Sequence, residues 1–234
     1  MTAAAPLVTI DGPAGVGKST VGRRVALALG LPFIDTGVFY RAVAVAARRE
    51  GLLETDDPGL ADLAGRVRLQ INSAAQPAPG AWQARLDGLE LGEELWDPGL
   101  ASLLASVARL PGVRRALLQQ QRAPGASGAV AVGRDTGTVV FPGAACKIYL
   151  DAPTEIRMRR RRQELEARGQ DASEAVLRAD VLTRDETDRS RAHAPLAVPP
   201  GALAIDTAAL SAEEVVDLVL RECRSRGLAA SAAP

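Results

Sequence analysis

Leu7-Val-Thr-Ile-Asp-Gly-Pro-Ala-Gly-Val-Gly-Lys-Ser-Thr20 is the stretch that decides the fold. Its first four residues form a short β-rich run, and from Lys18 onward Val21, Val25, Leu27 and Leu29 follow helical spacing to a stop at Gly30. Between them, Gly12-Pro-Ala-Gly-Val-Gly-Lys-Ser19 has Walker A spacing in the strand-before, helix-after context that lifts such a match above chance. Glycines let backbone N–H groups turn inward around phosphate oxygens, the helix N-terminus adds positive potential, a lysine bridges the outer phosphates, and a serine hydroxyl can ligate Mg²⁺. A glycine-rich turn with no ligand is the alternative, but it has no need of the full spacing. A nucleoside triphosphate is therefore expected on Gly12, Pro13, Ala14, Gly15, Val16, Gly17, Lys18, Ser19 and Thr20, with Ser19 as the Mg²⁺ ligand.

Outward from this loop the pattern repeats. Phe33-Ile-Asp35 reads as a second buried strand and residues 38–49 as a helix ended by Gly51, so an α/β fold with a parallel sheet flanked by helices is expected. Residues 66–95 differ: short alternating segments (Val67, Leu69, Ile71; Trp82, Ala84, Leu86) flank the turn-rich Pro77-Ala-Pro-Gly80, which predicts a small antiparallel insertion. Helices are expected over 97–108, 113–122, 155–168, 174–184 and 212–224, and strands at Val130-Ala-Val132, Ile148-Tyr-Leu150 and Leu203-Ala-Ile205. The expected organisation is a core of residues 1–65 and 101–226, an inserted lobe of 66–100, and a disordered small-residue tail of 227–234.

Composition excludes several classes. Basic and acidic residues both number 28, so no general attraction to nucleic acid or anionic membrane is expected and anion binding must be local. Lysine occurs only at Lys18 and Lys147, and one of the two sits in the phosphate loop, where a slender point charge suits phosphate. His193 is the only histidine, which removes His-Ser triads and histidine zinc sites. Asn72 is the only asparagine, so the Asn-Lys-x-Asp guanine-reading motif of regulatory GTPases is missing. Cys146 and Cys223 are too few and too isolated for a disulfide framework, which fits a reducing cytoplasm. No run of 18 apolar residues spans a bilayer and no signal-peptide pattern opens the chain, so a cytoplasmic protein without a membrane partner is expected.

Phosphoryl transfer needs cations, because charge spreads over the equatorial oxygens while donor and acceptor phosphates repel each other. Three arginine clusters qualify: Asp35-Thr-Gly-Val-Phe-Tyr-Arg41 and Gly133-Arg-Asp-Thr-Gly-Thr138 at strand ends, and Arg184-Asp-Glu-Thr-Asp-Arg-Ser-Arg191, whose steps align Arg184, Asp188 and Arg191 on one helical face. Taken singly, the second is compatible with an ordinary turn and the third with a solvated, salt-bridged helix.

Taken in order, these motifs closely resemble the bacterial cytidylate kinases, P-loop nucleoside monophosphate kinases that phosphorylate CMP and dCMP with ATP. The resemblance spans Ile10 to Thr20, Asp35 to Arg41, Pro111-Gly-Val-Arg114, Gly133 to Pro142, Ile148-Tyr-Leu-Asp-Ala152 and Arg184 to Pro195. It implies that Thr36, Tyr40, Arg41 and Arg134 hold the acceptor 5′-phosphate, that Arg184 and Asp188 meet the ribose, and that Arg114, Arg191 and Asp135 read cytosine. It makes 66–100 the acceptor-binding lobe and about 157–172 a mobile helical lid. Lys18, Arg134 and the lid's Arg157, Arg160 and Arg161 then form the catalytic set, although Arg159 to Arg162 also fits a solvated helix face opposite Glu164 and Glu166. A monomer with CMP or dCMP as substrate and no nucleic-acid partner is expected. Two departures stand out: Ala105 replaces a serine that commonly helps read the base, with Ser106 offset by one, and Leu95-Trp96 replaces the usual Ile-Arg, so that Trp96 is expected to pack the small lobe. A P-loop kinase for UMP or another small acceptor, and a non-catalytic nucleotide-binding regulator, are the alternatives.

Overall fold

The computed structural model describes residues 5–71, 84–166, 173–191 and 193–228. Strand β1 (Leu7–Asp11) lies at the centre of a five-stranded sheet with β2 (Phe33–Asp35) at one edge. Three short strands, β3 (Leu69–Ile71), β4 (Ala84–Leu86) and β5 (Leu89–Leu91), form a separate antiparallel sheet. The strands β6 (Ala129–Gly133), β7 (Cys146–Asp151) and β8 (Leu203–Asp206) complete the large sheet in the order β2-β6-β1-β7-β8.

Every pairing in the large sheet is parallel, with Ile10 opposite Val132 on one side and Ile148 on the other. A parallel sheet is covered on both faces, which explains its apolar strands. Val130 and Val132 pack with helices α1 (Lys18–Leu29) and α8 (Ala212–Ser225), whereas Ala129 and Ala131 join the cluster built on α2 (Gly37–Arg49), α3 (Asp57–Arg66) and α5 (Pro111–Arg122). Leu86, Leu91, Leu95 and Leu100 pack into that second cluster, so the small sheet shares the core of the large one. Helices α6 (Thr154–Glu166) and α7 (Glu174–Ser190) pack against each other.

The structure corrects several expectations. Helix α3 and strand β5 lie in stretches given no element above. Asp56 caps α3 by accepting from the Gly59 amide at 3.0 Å, and Asp87-Gly88, both at positive φ, form the two-residue turn that pairs β5 with β4. The helix expected from Asp97 begins as a 3-10 turn at Pro98–Leu100, with the Asp97 carboxylate on the Gly99 amide, and becomes α4 only at Ala101–Arg109. Helix α7 runs to Ser190, so it carries Arg184 and Asp188 as expected from the spacing of the third arginine cluster, while Arg191 lies just past its end. The cysteines, 77 residues apart in sequence, are not isolated: their sulfurs lie 3.4 Å apart between β7 and α8 as free, buried thiols. The Pro77-to-Gly80 turn, Trp82, residues 167–172 of the expected lid and residues 229–234 of the expected tail lie outside the described residues.

Candidate active site

All five parallel strands deliver their C-terminal ends to one edge, where ligands of open α/β sheets bind. Four of the five end in an aspartate: Asp11, Asp35, Asp151 and Asp206. The loop between Asp11 and α1 turns inside this rim. Lys18 is 8% exposed and its ammonium donates to the Pro13 carbonyl at 2.6 Å. Burial, reinforced by the nearby Arg134 charge, holds the Lys18 pKa well below its usual value of 10.5, against the pull of Asp35, Asp188 and Asp11. Ser19 Oγ donates to Asp35 Oδ2 at 3.0 Å.

Asp11 was not singled out by sequence reasoning. Fully buried, it accepts from the Thr136 and Gly137 amides, each at 2.7 Å, and so ties the root of the phosphate loop to the loop after β6 that carries Arg134 and Asp135. Burial raises its pKa despite those hydrogen bonds. Asp35 bridges the other way, holding Ser19 through one oxygen and the Gly37 amide through the other. Both aspartates could be noticed in the sequence only as strand ends, since the partners that tie them across the site, Thr136 and Gly137 for Asp11 and Ser19 for Asp35, come from other segments.

The expected acceptor residues form one wall beside this loop. Arg114 and Asp135 are a buried ion pair, Nη2 to Oδ2 2.5 Å, with Arg114 Nη1 on the Ala108 carbonyl and its guanidinium 5.2 Å from the centre of the Tyr40 ring. Arg134 Nε donates to Asp188 Oδ2 at 2.7 Å. Burial opposes charge on Asp188, yet Arg134 and Arg191 pull its pKa below the ordinary carboxylate value. Arg191 has a side chain 7% exposed and Nη2 3.4 Å from Asp188 Oδ1. Among the described residues, neither its Nε nor its Nη2 has a hydrogen-bond partner. Burial lowers its pKa, partly against the charges of Asp188 and Asp135. Arg184 stands one turn before Asp188 on α7, half-buried.

Two expected phosphate ligands are turned to the protein. Thr36 is buried with its hydroxyl on the Val132 carbonyl at 2.9 Å. Arg41 donates to the Leu95 carbonyl at 3.0 Å and lies 4.6 Å from the centre of the Trp96 ring, so Trp96 packs against the shared core cluster and braces Arg41 of α2. Ala105 is exposed on α4 beside the half-buried Ser106.

The three lid arginines part company. Arg160 reaches Thr207, through its hydroxyl at 2.8 Å and carbonyl at 2.7 Å, and the Val16 carbonyl at 3.3 Å. Together with Gly15, Gly17, Thr20 and Leu210 it lines a cavity of about 430 Å³ beside the phosphate loop. Arg161 pairs with Glu164 at 3.1 Å, its side chain 23% exposed. Arg157 is buried against Asp185 and the Ala14 carbonyl, and neither Thr207 nor Asp185 was foreseen. A wider hollow of about 640 Å³ opens at the opposite end of β1, against Leu7, Val140 and Phe141.

Residues 8–225 match the family model for cytidylate kinase. The chain is 42% identical to a cytidylate kinase of Pelotomaculum thermopropionicum over 92% of its own length and 94% of that protein's. It is 44% identical to a cytidylate kinase of Stutzerimonas stutzeri, covering 96% and 97%. A gluconokinase structure from Sinorhizobium meliloti superposes with a TM-score of 0.47 at 17% identity, covering 95% of this chain and 94% of that one. With the family model spanning the phosphate loop, the acceptor wall and both flanking helices, this chain belongs to the cytidylate kinase family.

Proposed function

We propose that the chain transfers the terminal phosphoryl group of ATP to CMP or dCMP, giving ADP and CDP or dCDP. The observation that carries this is the abutment of two sites: Asp11, at the root of the phosphate loop, accepts from the Thr136 and Gly137 amides at 2.7 Å, in the same loop whose Arg134 grips Asp188 of the acceptor wall at 2.7 Å. Both nucleotides' phosphates then meet over the same strand ends, and catalysis proceeds by positioning and charge stabilisation without a covalent enzyme intermediate. A 5′-phosphate oxygen of the acceptor bonds to the γ-phosphorus as the bond to the β-phosphate bridging oxygen breaks.

In this assignment residues 12–20 wrap the triphosphate of ATP, with its base in the cavity between Arg160 and Leu210. Arg134 and Tyr40 hold the acceptor phosphate, joined by Thr36 and Arg41 once these exchange the Val132 and Leu95 carbonyls for it; Arg184 and Asp188 hold the ribose, and Arg114, Arg191 and Asp135 the base. The buried Nε and Nη2 of Arg191, neither of which makes a hydrogen bond among the described residues although Nη2 lies in ion-pair range of Asp188, support the last assignment, since buried donors call for acceptors. Cytosine O2 and N3 supply acceptors and its amine suits a carboxylate, whereas uracil reverses that polarity at N3 and O4. Ser19 and Asp35 offer Mg²⁺ the hard oxygen donors it takes when most of its shell is water and phosphate. The ion supplies neutralisation of the charge on the phosphate oxygens.

Residues 66–100 serve as the acceptor lobe and 157–172 as the lid of a core formed by 1–65 and 101–226. The chain acts as a monomer, without a nucleic-acid partner, the latter supported by its charge balance, and in the cytoplasm, which two free cysteines in contact support. No helix among the described residues is long and apolar enough to cross a membrane. A coupled ADP-release assay across CMP, dCMP, UMP and AMP tests the assignment, and UMP turnover equal to or above that of CMP overturns it. Arg191→Met is expected to lose CMP affinity and keep ATP affinity, as titration calorimetry reads directly.

A further inference from the structure

Arg157 stands at the foot of the lid, yet none of its donors faces outward. A guanidinium carries five N–H donors. All five are in use: Nε to the Ala152 carbonyl at 2.9 Å, Nη1 to Asp185 Oδ1 at 3.0 Å and to the Ala14 carbonyl at 3.3 Å, Nη2 to Asp185 Oδ2 at 2.6 Å and to Thr154 Oγ1 at 3.1 Å. The pair with Asp185 is a parallel fork, the strongest and most directional form of this contact, and the two side chains are 3% and 5% exposed. Such an arginine has no donor left over for a phosphate.

Its neighbours explain what it does instead. At one end it grips the phosphate loop. A trans peptide points its C=O and N–H in opposite directions, so holding the Ala14 carbonyl fixes the direction of the Gly15 amide. Contact there is intimate: Gly15 has φ +74, and a Cβ on it would come within 2.9 Å of the Arg157 carbonyl oxygen. At the other end the clamp holds α7 at Asp185, three residues before Asp188 and six before Arg191, which carry the acceptor-facing side. One buried ion pair therefore joins the backbone that meets ATP to the helix that meets CMP.

We propose that Arg157 and Asp185 form a positioning clamp through which occupancy of the phosphate loop sets the orientation of α7, so that ATP and CMP bind cooperatively. The clamp rests on the acceptor site assigned above. Coupling carried by two discrete contacts is measurable as the ratio of CMP dissociation constants without and with a non-hydrolysable ATP analogue plus Mg²⁺.

In the unaltered chain the analogue is expected to tighten CMP by about fivefold or more. In Asp185→Asn and in Arg157→Lys, each confirmed as folded by its melting curve, the ratio falls toward one, and the double variant falls no further than either single. Loss of packing alone would weaken both affinities and leave their ratio in place. Hydrogen exchange on the unaltered chain gives a readout independent of any variant: the analogue alone should slow amide exchange in the last turn of α7. Absence of coupling in the unaltered chain, a folded Asp185→Asn with undiminished coupling, or no protection in α7 overturns the clamp. Failure of CMP to bind the unaltered chain overturns the clamp and the acceptor assignment together. Normal CMP binding that depends on Arg191, with coupling indifferent to both clamp substitutions, overturns the clamp alone.

Discussion

Lys18 illustrates how a residue can be named from sequence while its chemistry waits for the fold. An unfolded lysine keeps its proton to about pH 10.4. The folded site gives that proton up earlier, because burial and Arg134 disfavour the charge. Between those two values the unfolded chain binds more protons, so stability rises with pH. Urea unfolding at about pH 8 and about pH 10 should therefore show the wild-type curve climbing relative to Lys18→Met; parallel curves would remove the burial argument. Trp96 is the second case. Its ring braces Arg41, a contact of about 0.5–2 kcal/mol, so Trp96→Leu should raise KM for CMP by roughly 2- to 30-fold with KM for ATP little changed in steady-state kinetics. The phosphate loop was legible because its members are covalent neighbours. The roles of Asp11, Asp35 and Asp185 were not, because the Thr136 amide, the Ser19 hydroxyl and the Arg157 guanidinium they hold lie 125, 16 and 28 residues away.

At the level of elements, apolar periodicity found α1, α2, α5 and α8, continuous apolar runs marked the strands of the large sheet, and α6 was legible as a charged run free of breakers. Helix α3 escaped because its signal is a cap, Asp56 ahead of Asp57-Pro58, rather than a long apolar stripe. Strand β5 escaped because only the Asp87-Gly88 turn marks it. Helix α8 carries the clearest local signal: Ser211 Oγ accepts from the Glu214 amide at 3.2 Å while the Glu214 carboxylate accepts from the Ser211 amide at 2.8 Å. Ser211→Ala should cost about 1 kcal/mol, read as a lower midpoint of urea unfolding with an unchanged slope. The cap lies beside the cavity assigned to the ATP base, so the same variant tests whether that wall tolerates a loosened first turn.

Across the whole molecule, the numbers of acidic and basic residues are equal, and the site repeats that balance locally. Arg114 faces Asp135, Arg134 and Arg191 share Asp188, and Lys18 lies in the field of Asp35. On the proposed assignment, binding a nucleotide is expected to be an exchange of anions, in which phosphate takes the place of a carboxylate already tethered at high effective concentration. A bare phosphate ion must win that competition unaided, whereas CMP brings a base and a sugar to help. Asp188→Asn should accordingly lower the inhibition constant for inorganic phosphate severalfold, measured against CMP at fixed ATP, even as KM for CMP rises. Asp135 and Asp188 are thus expected to act as resident competitors that keep a pocket full of arginines from filling with the commonest anion around it.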